Sequence, residues 1–193
     1  MKPLIFPKPT EMAHMWLRQI IEPGDRVIDA TLGNGHDALF LAQCVGAIGK
    51  VIGFDVQELA LESATQQMLR HGIPESVYQW HLASHARMGD FVIGSVKAVM
   101  FNLGYLPGAD HTWITSADET VLALESAAGL ISDGGMMTVV CYPGHPGGDQ
   151  EAEAVKAWAL ARGADWHVVH YEKWATRQAA PELIAMQKKE ARP

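Results

Sequence analysis

"DATLGNGHD", residues 29–37, decides the fold, because it holds the end of a strand, a glycine turn and the start of a helix in immediate succession. The apolar run 26–30 predicts a short strand that ends near Asp29. Gly33 and Gly35 permit a tight turn and let a ligand approach the backbone. The helix that begins at His36 offers free N–H groups at its N-terminus. We therefore predict a cofactor-binding turn here, the alternative being a turn with a purely structural role.

Predicted strands and helices alternate on both sides of this turn. We predict strands over 26–30, 50–56, 77–82, 96–103, 134–142, 165–171 and 182–187. We predict helices over 10–21, 36–45, 58–70 and 149–162, and one more that opens with a capping box at Ser116 and Glu119 and includes Ile131. This order predicts an α/β fold, a seven-stranded and mostly parallel sheet with helices on both faces. Such sheets bind ligands at the carboxyl ends of their strands, near the point where strand order reverses.

Length and composition indicate one globular domain over residues 1–193, with 48% hydrophobic and 19% charged residues. No apolar run reaches the roughly 18 residues that a membrane helix needs. The N-terminus is a poor signal peptide. Cys44 and Cys141 lie in apolar runs, which indicates free thiols in a reducing compartment. We expect a cytoplasmic protein with no membrane partner.

The formal net charge of −7 speaks against a protein that coats itself in nucleic acid, although it leaves room for a local basic patch. The C-terminal fifth of the chain has a basic lean, from Lys173, Arg177, Lys188, Lys189 and Arg192. We expect a confined basic patch near Lys173, Arg177 and the C-terminal lysines, or one shared across a dimer.

A second acid follows the next predicted strand, at Asp55, 20 positions past Gly35. An acid at this place can accept hydrogen bonds from both ribose hydroxyls of a nucleotide-like cofactor. "GNGHDA" also fits the dinucleotide pattern G-x-G-x-x-A. However, a carboxylate at Asp29 would repel a pyrophosphate, whereas it suits the ammonium group of S-adenosylmethionine. The residues therefore favour S-adenosylmethionine, with a nicotinamide cofactor as the alternative.

"FNLGYLPGADH", residues 101–111, brings polar residues to the end of the fourth strand. Asn102 and Tyr105 resemble the ends of the Asn-Pro-Pro-Tyr motif of methyltransferases that act on amino groups of bases. In that motif the Asn accepts a hydrogen bond from the attacking nitrogen and the Tyr ring stacks on the base. Here Leu103 and Gly104 replace the two prolines. The alternative is that Asn102 only ends the strand and Tyr105 only packs the loop.

"CYPGHPGGDQE", residues 141–151, follows the fifth strand and is expected on the rim of the same pocket. Tyr142 and His145 are its candidates for substrate binding, and His145 could accept a proton from a substrate ammonium, since the unperturbed pKa of a histidine is near neutral. Asp110 and His111 compete for that role. A hydrogen-bonding spacer is the alternative function of His145.

Four more polar residues lie at predicted strand ends or helix starts. His36 and Asp37 open the first helix of the unit and are candidates for contact with cofactor or substrate, with helix capping as the alternative for Asp37. Ser84 and His85 follow the third strand, where an adenine ring usually rests in such folds. His81 and His85 have a spacing that a metal could use, but without a nearby Cys or acid we predict no metal.

Five segments together resemble the bacterial "putative rRNA methylase" family, over about residues 10–189. They are "DATLGNGHDALFLA", "GFDVQELALESA", "FNLGYLPGADH", "TSADETVLALESAAGLISDGGMMTVVCYPGHPGG" and "PELIAMQKK". Characterised members of that family methylate the amine of 5-aminomethyl-2-thiouridine at the tRNA wobble position. Where the family commonly has a second Gly in "LPGGD", this chain has Ala109.

The resemblance implies a Rossmann-like class I methyltransferase, S-adenosylmethionine as methyl donor, the anticodon stem-loop of tRNA as substrate, and a homodimer. It implies cofactor contacts at Asp29, Gly33, Asn34, Gly35, Asp55, Gln57 and Asn102, and substrate contacts at Tyr105, Tyr142 and His145. With the residues argued above, the predicted cofactor site also includes Thr31, His36, Asp37, Ser84 and His85, and the predicted substrate site includes Asp110 and His111. Asn102, Tyr105 and His145 are the predicted catalytic residues. An rRNA or small-molecule methyltransferase, or a noncatalytic binding module, are the alternatives.

Overall fold

The computed structural model describes residues 6–104, 117–144, 147–174, 176 and 179–191. Its strands are β1 Arg26–Asp29, β2 Lys50–Asp55, β3 Tyr78–Leu82, β4 Val96–Leu103, β5 Ile131–Cys141, β6 Trp166–Tyr171 and β7 Glu182–Lys188. Its α-helices are α1 Pro9–Ile20, α2 His36–Val45, α3 Glu58–Arg70, α4 Met88–Phe91, α5 Ala117–Leu130 and α6 Gly148–Leu160. The predicted alternation of strands and helices is confirmed.

All seven strands form one sheet, in the order β3-β2-β1-β4-β5-β7-β6. The neighbours from β3 to β5 are parallel, whereas β7 is antiparallel to both β5 and β6. The order reverses between β1 and β4, because the chain builds β2 and β3 on one side of β1 and then crosses to the other side. The carboxyl ends of β1 and β4 therefore flank the place where a sheet of this kind binds its ligand.

Helices cover both faces of the sheet, and strand residues alternate between the two resulting cores. Val27 in β1 packs with residues of α1, α2 and α3, among them Leu17, Leu41 and Met68. Its neighbour Ile28 packs on the other face with residues of α4, α5 and α6. β1 is thus buried on both faces, and this packing holds the turn that follows it in a fixed position at the edge of the sheet.

One local prediction was wrong, and one short helix was missed. Ile131 is not in a helix but begins β5, where it pairs with Val96 and is buried. Its apolar side chain continues the helical spacing of α5, so the sequence pattern did not mark the boundary at Leu130. The short helix α4 was not predicted, because a single turn is too short to have a period. Ser116, half of the predicted capping box, lies outside the described residues.

The described helices are each too short or too polar to cross a lipid bilayer. Cys141 is buried in β5 and Cys44 is half-buried in α2, and neither forms a disulfide. Burial raises the pKa of both thiols, so both are held as neutral side chains in the core.

Candidate functional site

A cavity of about 720 Å³ opens at the carboxyl ends of β1 to β4, beside the point where strand order reverses. Its wall includes many of the predicted site residues: Thr31, Gly33, Asn34, His36, Asp37, Asp55, Gln57, Ser84, His85, Asn102 and Tyr142. These residues are far apart in the sequence, and the parallel strands bring them together. The predicted clustering at one sheet edge is therefore present in the structure.

Asp29 lies fully buried at the end of β1, behind the wall residues Ala30 and Thr31. Its Oδ1 accepts a hydrogen bond of 3.1 Å from the backbone N–H of Thr31. Its Oδ2 is buried and has no hydrogen-bond partner among the described residues. Burial, and then the nearby charge of Asp37, raise the pKa of Asp29 well above its ordinary value. An unpartnered buried carboxylate oxygen is a group that a cation would stabilise.

Both the backbone conformation and the close packing of the turn after β1 require a glycine at position 35. Gly35 has a φ of +76°, and a Cβ atom built there would lie 2.5 Å from the Cα atom of Ala64 in α3. No other residue fits this place, because any side chain would push α2 away from α3. Gly35 itself is not part of the cavity wall, so its function is to bring Gly33 and Asn34 to that wall.

Asp55 at the end of β2 is held by two backbone donors. Its Oδ2 accepts from the N–H of Gly33 at 3.0 Å, and its Oδ1 accepts from the N–H of Gln57 at 2.9 Å. The first bond ties the β1 turn to the end of β2. Each carboxylate oxygen keeps a further lone pair that a ligand hydroxyl can use.

Asn102, near the end of β4, is fixed at its backbone and at its amide nitrogen. Its backbone N–H donates to Thr31 Oγ1 at 2.7 Å, and its Nδ2 donates to Asp37 Oδ2 at 3.0 Å. The other oxygen of Asp37 lies 2.8 Å from Nε2 of His14 in α1. Asn102 Oδ1 is buried and no described residue donates to it. Asp37 thus binds side chains of two other elements, which accounts for its carboxylate without helix capping.

Ser84 and His85 line the far wall, beyond β3. Ser84 Oγ donates a short hydrogen bond to Oε1 of Glu119 in α5. His85 Nδ1 lies 3.2 Å from the carbonyl oxygen of Ala30, which can only accept, so the proton is on Nδ1 and Nε2 is an acceptor. Burial lowers the pKa of His85 and keeps the ring neutral. This wall therefore offers a buried neutral acceptor to a ligand.

Tyr142, directly after β5, also lines the cavity. A Cβ atom at Gly104 would lie 3.4 Å from Cδ2 of Tyr142, an ordinary van der Waals distance, so Gly104 lies directly beside the ring. Four predicted site residues, Tyr105, Asp110, His111 and His145, lie outside the described residues, and their functions stay predictions.

Sequence reasoning missed three polar side chains that line or support the wall: Thr10, His14 and Glu119. Thr10 and His14 belong to α1, which precedes the fold-deciding turn and contains no motif. Only the packing of α1 against α2 brings His14 to Asp37. His36, by contrast, was predicted as a ligand contact and lies at the wall, where its Nδ1 is 2.9 Å from Nε2 of Gln67.

The predicted basic patch was wrong in part. Because β7 is antiparallel to β5, its end at Lys188 lies at the opposite edge of the sheet from the cavity. Lys188 Nζ donates to the carbonyl of Ile131, and Lys189 Nζ donates to those of Gly163 and Ala164. Lys173 follows β6 on the cavity edge, whereas Arg177 and Arg192 lie outside the described residues.

Comparisons with known proteins agree with the fold and identify the family. The family model described as "Putative rRNA methylase" matches residues 51–187. A chloroplastic tRNA (mnm(5)s(2)U34)-methyltransferase of Arabidopsis thaliana is 39% identical, over 95% of this chain and 70% of the relative.

Two solved structures are similar over nearly their whole length. A "putative rRNA-methylase" from Clostridium thermocellum has a TM-score of 0.92 at 33% identity, covering 96% of this chain and 100% of that one. A "putative methyltransferase" from Streptococcus mutans, in complex with SAH, has a TM-score of 0.86 at 30% identity, covering 95% of this chain and 99% of that one.

Proposed function

This chain belongs to the family described as "Putative rRNA methylase", and we propose that it methylates the amino nitrogen of 5-aminomethyl-2-thiouridine at the wobble position of tRNA. The chain is an S-adenosylmethionine-dependent methyltransferase with a Rossmann-like fold. The proposal concerns the substrate and the residues that carry the reaction. The observation that carries it is the unpartnered acceptor Asn102 Oδ1 in a cavity that has Asp55 in its wall and the buried Asp29 behind that wall.

The residues of the cavity fit the donor. The orphaned Oδ2 of buried Asp29 suits the cationic amino group of S-adenosylmethionine, and Asp55 suits its ribose hydroxyls. The glycine turn brings backbone N–H groups close to the wall, and His85 Nε2 is an acceptor of the kind that an adenine amino group needs. When bound, S-adenosylmethionine supplies a methyl group that its sulfonium makes electrophilic.

The chain's own residues then have to orient a neutral amine. An ammonium has no lone pair, so the site must favour the deprotonated form of the substrate, which desolvation in the cavity does. Asn102 Oδ1 accepts an N–H of the amine and thereby aims its lone pair into the cavity. Tyr142 lies on the same wall, where its ring can pack against the base. No strong base is required, since positioning supplies most of the catalysis.

Support for the tRNA substrate comes from the Arabidopsis relative, a tRNA (mnm(5)s(2)U34)-methyltransferase at 39% identity. Lys173 and Trp174 follow β6 on the cavity edge, and Trp174 is 84% exposed. A cation next to an exposed aromatic ring suits a phosphate and an unstacked base. We include these two residues in the proposed anticodon-loop contact.

The experiment that tests the reaction uses the purified chain, S-adenosylmethionine and tRNA carrying 5-aminomethyl-2-thiouridine. Mass spectrometry of the digested nucleosides should show conversion to the methylaminomethyl nucleoside. The Asn102→Ala variant should lose turnover while it still binds the donor. Matched tRNA without the aminomethyl group and rRNA fragments serve as control substrates. Methylation of rRNA alone, or donor binding without turnover on any of these substrates, would contradict the proposal.

The RNA contact has its own test. Lys173→Glu should weaken tRNA binding and make the salt dependence of binding less steep by about one phosphate contact. Lys189→Glu is the matched control, because Lys189 lies at the opposite edge of the sheet. Equal effects of the two charge reversals would remove Lys173 from the proposed contact. The homodimer implied by the family resemblance is likewise a proposal, which light scattering on the purified chain tests.

A further inference from the structure

We propose that His14 of α1 is a positioning residue that, through Asp37, sets which end of the Asn102 amide receives the substrate. The inference rests on the proposed function, in which Asn102 Oδ1 accepts an N–H of the attacking amine. Neither His14 nor α1 belongs to a recognised motif of this sequence. A series of hydrogen bonds connects His14 to Asn102.

The chain of hydrogen bonds runs from α1 through α2 to β4. His14 Nε2 lies 2.8 Å from Asp37 Oδ1, and Asn102 Nδ2 lies 3.0 Å from Asp37 Oδ2. An ionised carboxylate only accepts hydrogen bonds, so both neighbours donate to it. The proton on His14 is therefore on Nε2, whether or not Nδ1 carries a second one.

The hydrogen bonds from His14 through Asp37 give the Asn102 amide a single orientation. An asparagine amide has a donor end and an acceptor end of nearly the same shape, and a flip exchanges them. If Asn102 flipped, its Oδ1 would face an Asp37 oxygen, which is a repulsive contact between two acceptors. With Nδ2 held by Asp37, the buried Oδ1 is the end left for a ligand. A methyl acceptor amine needs that acceptor, because an NH₂ group in its place would donate toward the lone pair that attacks.

His14 in turn keeps Asp37 as a charged acceptor in the conformation that reaches Asn102. The ring of His14 stacks on Phe40 of α2, with centroids 3.9 Å apart and planes 10° apart, so its direction is fixed. Asp37 is only 8% exposed and lies near Asp29, which is fully buried. Without the His14 donor, Asp37 would carry a poorly compensated charge next to a second acid. It would then rotate away from the second acid, and the Asn102 amide would lose the contact that holds its orientation.

Two variants separate the donor atom from the ring. His14→Phe keeps the stack on Phe40 and removes the N–H, whereas His14→Gln can place an amide N–H near the same point. We expect His14→Phe to lower kcat about 10- to 100-fold, with the donor Kd and the KM for tRNA changed less than about threefold. We expect His14→Gln to recover most of kcat. His167→Phe, at an exposed position of β6, is the matched control and should behave as wild type.

A second measurement detects the hydrogen bonds between His14, Asp37 and Asn102 in the absence of substrate. The side-chain NH₂ resonances of Asn102, identified by their loss in Asn102→Ala, should shift in His14→Phe and stay near the wild-type position in His14→Gln. Wild-type kcat in His14→Phe, or equal loss of kcat in both His14 variants, would overturn the inference. Unshifted Asn102 resonances in His14→Phe would also overturn it. If wild-type protein fails to methylate the aminomethylated tRNA, the proposed function fails, and the resonances still decide whether His14 sets the amide.

Discussion

The two acidic ends of the cavity are built in opposite ways. At the β1 end, Asp29 is fully buried, one of its oxygens has no hydrogen-bond partner among the described residues, and burial raises its pKa. At the β2 end, each oxygen of Asp55 accepts a backbone N–H, and the side chain lies at the cavity wall. Both follow a parallel strand of the same sheet, and the difference arises from what surrounds them.

This difference indicates two kinds of ligand group. A buried, incompletely partnered carboxylate costs folding free energy until a cation meets it, so it gives large binding energy to a charged group. A carboxylate already held by two backbone donors is stable by itself and presents oriented lone pairs to neutral hydroxyls. The cavity therefore treats the ammonium end and the ribose end of the donor differently, and four experiments test that comparison.

The largest effect is expected at the β1 end. Asp29→Asn keeps the size of the side chain and removes its charge, so we expect S-adenosylmethionine to bind about 100-fold more weakly or worse. Calorimetric titration measures the change. Asp90→Asn, an exposed surface change, is the control and should leave the affinity as it is. Equal donor affinity in Asp29→Asn and wild type would refute the assignment of Asp29 to the ammonium.

The next effect concerns the turn between the two acids. Gly35→Ala combines a positive φ with a Cβ atom 2.5 Å from the backbone of Ala64, whereas Gly72→Ala has a φ of +67° and open space. We expect Gly72→Ala to lower the free energy of unfolding by about 1 kcal/mol, from backbone strain alone. Gly35→Ala should lower it by about 3 kcal/mol, because overpacking adds to the strain. Chemical denaturation measures both, and similar losses would mean that α2 and α3 are free to separate.

At the β2 end the expected effect on binding is smaller. Asp55→Asn should weaken donor binding about 10-fold, the loss of a hydrogen bond to a charged acceptor. It should also lower the melting temperature, because asparagine keeps only one acceptor oxygen, so one of the N–H groups of Gly33 and Gln57 would face an NH₂ group. Calorimetric titration and thermal denaturation test both parts. A higher melting temperature would show that Asp55, too, is a destabilising charge.

The smallest effect is the pH dependence of the free protein's stability. The pKa of Asp29 is raised on folding, so the folded state holds its proton above the pH at which the unfolded chain releases it. Stability should therefore fall as pH rises from about 4 through the raised pKa. Asp29→Asn should match wild type near pH 4 and melt about 3 °C higher at pH 8. Donor affinity in wild type should rise over the same range, since the ionised form binds the cation. A wild-type protein as stable as the variant at pH 8 would contradict the destabilising charge.

The sequence determined the local units and the class of the fold. Helices α2 and α3 and strand β4 begin and end where their spacing predicted, because glycines, prolines and strand-forming residues bound them sharply. The acids at the ends of β1 and β2 and the amide at the end of β4 were also identified, since parallel strands place their carboxyl ends at one edge. Residues that share that edge were predictable from their place in the chain alone.

The tertiary structure decided the environment of each of these groups. His14 reaches Asp37 only because α1 packs beside α2, and the C-terminal lysines leave the site only because β7 runs antiparallel to β5. Asp29 and Asp55 look equivalent in sequence, and burial and hydrogen bonding separate them. Spacing along the chain fixes which elements form and where they end, whereas solvation, charge and hydrogen-bond partners depend on segments that are distant in sequence and meet only in the folded protein.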